Sequence, residues 1–166
     1  MIDIVNILFL ILGIVIVLGV LNYISYQLMK QRILKTRIWD LNICCGKTDG
    51  GGVNADIMNH AAVNNYCHLE SIYRLPFTAQ QFEHVLCSHT IEHVEDPERF
   101  DQELRRVGQH ITYVLPPLWD LSAAFNIFEH RWLFLTLKKE HHRLPHYIKL
   151  PFSHKLQDWI GQRIHA

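Results

Sequence analysis

The sequence predicts an α/β domain with a mainly parallel sheet, preceded by one N-terminal transmembrane helix. An uninterrupted apolar run opens the chain, and short strand-like runs then alternate with loops and one well-capped helix. Apolar residues make up 49% of the 166 residues and charged residues 19%, which is typical of a folded protein. Formal net charge is +0, and the sequence lacks a long run of like charge, so no nucleic-acid partner is expected.

The apolar run from Ile4 to Leu21 contains only one polar residue, Asn6. A helix of that length spans roughly 27 Å, close to the ~30 Å of bilayer hydrocarbon. Before the run the only charged side chain is that of Asp3. Four basic residues follow the run, namely Lys30, Arg32, Lys35 and Arg37. The positive-inside rule therefore predicts a single-pass membrane protein whose soluble domain is cytoplasmic.

This interpretation divides the chain into a transmembrane anchor (1–29), a basic juxtamembrane linker (30–37) and a soluble domain (38–166). A cleaved signal peptide is disfavoured because the run lacks a basic segment before it and a small-residue cleavage site after it. A core helix that is apolar on every face is unusual in so small a protein. The four cysteines lack paired C-x-x-C spacing, so buried reduced thiols are expected rather than a zinc or disulfide framework.

Five runs in the soluble part favour strands, and one segment favours a helix. The predicted strands are 38–43, 53–57, 66–69, 82–88 and 111–117. Asp96 is a helix cap, Pro97 suits the first helical position, and Gly108 suits the stop. Phe100 and Leu104 recur between them at helical spacing. Strands that alternate with helices or loops indicate a parallel sheet.

The loop 46–52, between the first two strands, is rich in glycine, and Asp56 closes the second strand. Glycine allows backbone N–H groups to approach a ligand closely, and a carboxylate can accept hydrogen bonds from a ribose diol. A dinucleotide fingerprint would place the acid about 20 residues after the glycines. Because only ten positions separate Gly46 from Asp56, a nicotinamide-dependent reductase is disfavoured.

Several segments occur in an order that resembles class I S-adenosylmethionine-dependent methyltransferases. They are "LNICCGKTDGGGVNADI", "LESIYRLPF", "FEHVLCSHTIEHVEDPERFDQELRRV", "ITYVLPP" and "FEHRW" with the "LFLT" after it. The first is similar to a subgroup whose loop has the pattern L-N-x-G-C-G and leads quickly to N-x-D-I. The resemblance extends from Trp39 to Thr136 and implies a truncated, Rossmann-like fold.

The resemblance also implies a cofactor, S-adenosylmethionine, and a set of residues that bind it: Asn42, Cys44, Cys45, Gly46, Asp56, Glu70, Ser71 and Ser88. In this set Asp56 would bind the ribose hydroxyls, and Ser88 would line the pocket near the reactive methyl group. His89 is the candidate catalytic base. The expected methyl acceptor is a small molecule or a lipid-linked group with an O, N or C nucleophile. Anchoring would place the enzyme at the membrane.

Two departures from the subgroup leave a second interpretation open. Cys44 replaces its usual glycine, and the part after the fifth strand is short. The alternative is a catalytically degenerate domain that serves as a membrane-tethered interaction module.

The segment "HTIEH" (89–93) matches the H-x-x-E-H pattern of one class of zinc hydrolase. That chemistry requires a helix, but the helix signal begins only at Asp96, so no metal is expected. Glu92 and His93 are expected to be solvated or to cap the helix.

Overall fold

The computed structural model describes residues 3–58, 63–151 and 153–159, so the ends of the predicted anchor and domain (1–2, 160–166) lie outside the described residues. A helical rod opens the chain: α1 (Ile4–Tyr23), a π-helical segment (Ile24–Met29) and α2 (Lys30–Leu34). No residue of α1 is buried. Among the described residues, 4–34 form the one helix that is long and apolar enough to cross a membrane.

The far end of this rod packs against the domain that follows. Ile33 is buried in a cluster with Trp39, Leu86 and Val114, and the Trp39 indole Nε1 donates a hydrogen bond of 3.1 Å to the Leu34 carbonyl. The segment predicted as a juxtamembrane linker therefore contains α2. The division of the chain into domains remains a prediction.

The main sheet has six strands in the order β3-β2-β1-β4-β5-β7. These are β1 (Trp39–Ile43), β2 (Gly51–Asp56), β3 (Tyr66–His68), β4 (Phe82–Ser88), β5 (Gly108–Val114) and β7 (Glu140–His141). The first five are parallel, and β7 pairs antiparallel with β5. A separate antiparallel ribbon joins β6 (Trp132–Phe134) to β8 (Tyr147–Lys149). The predicted Rossmann-like, mainly parallel sheet is confirmed.

The two faces of the sheet differ in chemistry because successive side chains of a strand point to opposite faces. Leu41, Val85 and Ile111 are in register and belong to the main core, together with the buried face of α3 (Pro97–Val107). Asn42 and Asn54 are in register on the opposite face. That face lies on the side where α2 packs.

The helix α3 follows the predicted logic closely. The Asp96 carboxylate accepts a hydrogen bond of 3.0 Å from the Arg99 N–H, and Pro97 is the first helical residue. Gly108 ends the helix as predicted, but it also begins β5 without a connecting loop. A Cβ atom at Gly108 would lie 2.3 Å from Cγ2 of Val85, so glycine permits this close approach.

The connections that follow β1 and β5 contain little or no helix. Residues 44–50, which join β1 to β2, contain no helix, as the spacing between Gly46 and Asp56 had required. After β5 the chain forms a single helical turn, α4 (Leu121–Ala124), and α5 (Ser153–Trp159) follows the ribbon.

Candidate active site

The candidate site lies where the strand order reverses, between β1 and β4. The chain leaves β1 toward β2 on one side, whereas β4 pairs with β1 on the other. In open parallel sheets the crevice at the carboxyl ends of two such strands is where ligands bind. Cys44, Cys45 and Gly46 follow β1, and Ser88 and His89 lie at the end of β4. The fold therefore brings these predicted residues to one edge of the sheet.

A pair of buried asparagines holds the glycine-containing loop against the sheet. Asn42 donates through Nδ2 to the Thr48 carbonyl (2.8 Å) and to Oδ1 of Asn54 (3.1 Å). The same Oδ1 accepts a bond of 2.8 Å from the Gly50 N–H. Both asparagines are buried, so these bonds satisfy groups that would otherwise be costly to desolvate. Asn42, predicted to bind the cofactor, has both amide hydrogens engaged in holding the loop.

Cys44 has a left-handed backbone conformation, with φ of 49°, which costs a residue other than glycine roughly 1–2 kcal/mol. Its side chain packs against the main core and lies near the side chain of Thr90, which follows β4. Burial raises the pKa of the Cys44 thiol well above its ordinary value, and the neighbouring Asp56 charge adds to the rise. The thiol is therefore neutral at physiological pH.

Asp56 lies at the end of β2, as predicted, and is 7% exposed. Its Oδ2 accepts a hydrogen bond of 2.9 Å from the N–H of Gly46, and its Oδ1 accepts one of 3.1 Å from the N–H of Met58. Gly46 has φ of 54°. In the same loop, the Cys45 N–H donates a hydrogen bond of 3.2 Å to the Ala55 carbonyl. The carboxylate thus ties the loop after β1 to the end of β2.

The other predicted cofactor residues are less closely grouped. Ser88 at the end of β4 has a buried Oγ atom without a hydrogen-bond partner among the described residues. Ser71, which follows β3, accepts a hydrogen bond of 3.2 Å from the Tyr73 N–H. Glu70 is exposed. Ser88 is therefore the predicted residue whose side chain most needs a partner.

His89 is part of a buried polar chain that the sequence did not reveal. Its Nε2 lies 2.8 Å from Nζ of Lys139, which also donates to Ser25 Oγ at 2.9 Å. Its Nδ1 lies 3.2 Å from Oε1 of Glu92. Because the ammonium group donates to Nε2, the imidazole proton is assigned to Nδ1, toward Glu92. Like Cys44, His89 has a positive φ, at 53°.

Burial controls the charges in this chain of side chains. It lowers the pKa of His89 to about 4 and that of Lys139 to about 8. For Glu92 burial alone would raise the pKa, but His89 and then His93 and His130 outweigh it and lower the value to about 2. At neutral pH His89 is therefore uncharged, between a carboxylate and a mostly protonated amine. The expectation that Glu92 is solvated is wrong, since it is 0% exposed.

A cavity of about 530 Å³ opens beside the end of β4. Its walls include Asn22 and Tyr26 from the helical rod, His89 from the strand end, and Asn126 and His130 from the segment after α4. The rings of Tyr26 and His89 are 5.4 Å apart between centroids. The cavity is large enough for a small acceptor group and lies between the rod and the candidate site.

Comparison with protein families gives a match in the middle of the chain. Residues 49–112 match the family model described as a methyltransferase domain. This match confirms the resemblance inferred from the sequence and makes S-adenosylmethionine the expected cofactor. The matched region includes Asp56 and Ser88 but begins after the loop 44–46. The comparison with curated proteins found no match.

Solved structures of S-adenosylmethionine-dependent methyltransferases are similar to part of the chain. One from Aquifex aeolicus has 15% identity and a TM-score of 0.42, over 56% of this chain and 66% of that one. One from Thermotoga maritima has 19% identity and a TM-score of 0.38, over 58% and 52%. One from Methanosarcina mazei has 14% identity and a TM-score of 0.41, over 71% and 79%. The similar region thus spans about half to two thirds of the first two chains.

Proposed function

We propose that this chain transfers a methyl group from S-adenosylmethionine to an O, N or C nucleophile. The observation that carries the proposal is the switch point of the parallel sheet. There the loop after β1, the acid that ends β2 and the polar end of β4 converge, in a chain whose residues 49–112 match a methyltransferase domain. This arrangement supports an adenosyl ligand in the crevice at the switch point.

The residues at the strand ends fit such a cofactor in two respects. A Cβ atom added at Gly46 would meet nothing within 4 Å, so open space adjoins the loop. The buried Oγ of Ser88 is without a partner among the described residues, and a ligand group could supply one. Asp56 would bind the ribose hydroxyls by sharing or exchanging its bonds from the Gly46 and Met58 N–H groups.

When bound, S-adenosylmethionine supplies a methyl group on a positively charged sulfur. The acceptor would supply the lone pair for the new bond to that methyl carbon, and the electron pair of the broken carbon–sulfur bond would remain on sulfur. The chain's part is to orient the acceptor in the cavity beside His89, since alignment of reactants supplies much of the rate in such transfers. His89 can take a proton from the acceptor on Nε2 only after Lys139 gives up its bond there.

We also propose that α1 anchors the domain in the membrane with the domain on the cytoplasmic side. The helix is apolar and without buried residues, and basic residues follow it, which favours that orientation. Leu121, which lies next to α1, and Phe125 and Phe128 are about half exposed, as expected for side chains that touch the bilayer interface. A cavity walled partly by Asn22 and Tyr26 would then receive a membrane-proximal or lipid-linked acceptor.

Calorimetry with S-adenosylhomocysteine tests the proposal. The full chain in lipid nanodiscs should bind one equivalent of the ligand, and Asp56→Ala should abolish the heat. Glu83→Ala is the matched control, since Glu83 is exposed on β4 away from the strand's carboxyl end, and it should bind as the wild type does. Absence of heat from the wild type at millimolar ligand would contradict the proposal, and unchanged affinity of Asp56→Ala would remove that residue from the site.

A second function has specific support, namely a degenerate methyltransferase-fold module that acts by tethered interaction. The Cys44 side chain packs against the main core and the Asp56 carboxylate accepts a bond from the Gly46 N–H, so both predicted cofactor residues are already engaged within the protein. The variant Cys44→Gly distinguishes the two functions. A large gain in cofactor affinity on restoring glycine would favour a decayed site, whereas unchanged tight binding would show that the thiol is accommodated.

A further inference from the structure

The cavity beside β4 borders a second cluster of side chains. Glu92, His93 and His130 each direct one potential ligand atom to a common point, and these three atoms lie within 4.8 Å of one another. The His93 and His130 rings are 4.7 Å apart between centroids and nearly perpendicular, at 80°. Residues 89–95 are not helical, so the cluster does not use the geometry of an H-x-x-E-H helix.

The cluster contains buried polar atoms that need a partner. Glu92 is 0% exposed and His130 is 5% exposed. Both carboxylate oxygens of Glu92 and Nδ1 of His130 are without hydrogen-bond partners among the described residues. The contact of 3.2 Å between Glu92 Oε1 and the uncharged His89 ring at Nδ1 is not a well-directed hydrogen bond, so it does not compensate the buried carboxylate. A buried carboxylate and imidazole in this state require a cation or a proton between them.

The backbone holds the two halves of the cluster in place. The Glu92 carbonyl accepts hydrogen bonds from the N–H groups of Arg131 (2.8 Å) and Trp132 (3.2 Å). The Trp132 indole Nε1 donates to the Val94 carbonyl at 2.8 Å. These bonds join the turn after β4 to the start of β6, although the two segments are far apart in sequence.

The histidines are also oriented as metal ligands usually are. Nδ1 of His93 lies 2.9 Å from the Glu129 carbonyl, so Nδ1 carries the proton and Nε2 has its lone pair available. Nδ1 of the buried His130 ring is without a partner among the described residues and is available as a ligand. A hydrogen bond from one ring nitrogen to a carbonyl fixes the tautomer in which the other nitrogen binds a metal.

We propose that Glu92, His93 and His130 bind a divalent transition-metal ion, with Zn²⁺ as the best match. Two imidazoles and a carboxylate suit Zn²⁺, Fe²⁺ or Co²⁺ better than Mg²⁺, which prefers oxygen ligands. Ligand atoms around tetrahedral zinc are roughly 3.3 Å apart, given bonds of about 2.0–2.1 Å. The three ligand atoms lie within 4.8 Å of one another, so small side-chain movements would bring them to this separation.

Three protein ligands leave at least one coordination position on zinc. His93 and His130 both line the cavity, so water or an acceptor oxygen would fill that position from the cavity side. Metal binding at this cluster does not depend on whether the chain transfers a methyl group.

The test is zinc binding by the full chain in nanodiscs, after removal of metal with a chelator. We expect one Zn²⁺ per chain by elemental analysis, displaced little by excess Mg²⁺. His93→Ala and His130→Ala should each weaken binding at least ~100-fold. His68→Ala is the matched control, since His68 is exposed on β3, and it should bind as the wild type does. The double variant His93→Ala/His130→Ala measures how much zinc the other histidines bind.

Two readouts keep the test independent of misfolding. Co²⁺ bound to the wild type should give the visible absorption of a four- or five-coordinate site, and Glu92→Gln, which keeps the side-chain shape, should lose it. Circular dichroism and the unfolding midpoint of each variant report its fold. If wild type retains no more zinc than the double variant, a proton rather than a metal ion occupies the cluster, and the proposal is wrong.

Discussion

Lys139 offers the sharpest test of the buried polar chain. Its side chain is 2% exposed, and its Nζ bonds Ser25 Oγ and His89 Nε2. Burial lowers its pKa from the ordinary 10.5 to about 8, against the opposing pull of Glu92 and Asp120. The folded chain therefore holds the Lys139 proton less tightly than the unfolded chain.

The sign and size of the effect follow from this difference. Between pH 8 and 10.5 the unfolded chain binds more protons at Lys139 than the folded chain does, so the free energy of unfolding rises with pH. The shift of the Lys139 pKa from 10.5 to about 8 corresponds to about 3 kcal/mol in the free energy of unfolding once the titration is complete, at 1.36 kcal/mol for each pKa unit. The thiols of Cys44 and Cys87 act in the opposite direction, because their pKa values are raised by burial.

Comparison with Lys139→Met isolates the lysine from those thiols, which both proteins share. Urea unfolding of the full chain, followed at pH 7, 8, 9 and 10, should show the wild type gaining about 2.5 kcal/mol relative to the variant across this range, because the lysine of the unfolded chain is still mostly protonated at pH 10. Lys138 is exposed, so the free energy of unfolding of Lys138→Met should change with pH as that of the wild type does. If the free energy of unfolding of Lys139→Met also changes with pH as that of the wild type does, the lysine titrates normally. The buried chain of Ser25, Lys139 and His89 then does not exist in solution.

Three further changes test the fold around the site. Gly52→Ala should lower the free energy of unfolding by about 1–3 kcal/mol, because the added Cβ would lie 2.5 Å from a β1 carbonyl oxygen. Gly13→Ala is the control, since a Cβ there would have no atom within 4 Å, and it should leave the free energy of unfolding unchanged. Asn54→Ala should cost about 1–3 kcal/mol and speed amide exchange in residues 45–50; unchanged exchange would contradict the asparagine pair. Iodoacetamide should modify half-buried Cys67 before buried Cys45, whose pKa burial raises to about 11; the reverse order, read by mass spectrometry, would contradict this arrangement.

The sequence predicted those elements whose signals are local. The strand Phe82–Ser88 and the helix Pro97–Val107 match their predicted bounds, because cap, proline, apolar spacing and glycine stop all lie within the segment itself. The strand β5 begins at Gly108 rather than Ile111. That difference arises from pairing with β4, a long-range contact that local pattern does not contain. The continuation of the first helix to Leu34 depends on Ile33 packing against the sheet in the same way.

The site was predictable only where it follows strand ends. Gly46 and Asp56 could be placed near each other because parallel strands finish at one edge, and the structure joins them by a hydrogen bond. Lys139 could not be foreseen as the partner of His89, because 50 residues separate them. Glu92 and His130 are likewise brought together by the pairing of distant segments. The roles of the predicted cofactor residues remain predictions.

The proposed function requires one adenosyl ligand to occupy the crevice between β1 and β4. Hydrogen exchange of the full chain in nanodiscs, with and without saturating S-adenosylhomocysteine, measures this occupancy. We predict slower exchange in residues 44–48, 56–58 and 88–90, with little change at the exposed strand β8. Binding heat without protection of these three segments, or protection confined to other parts of the chain, would contradict the claim.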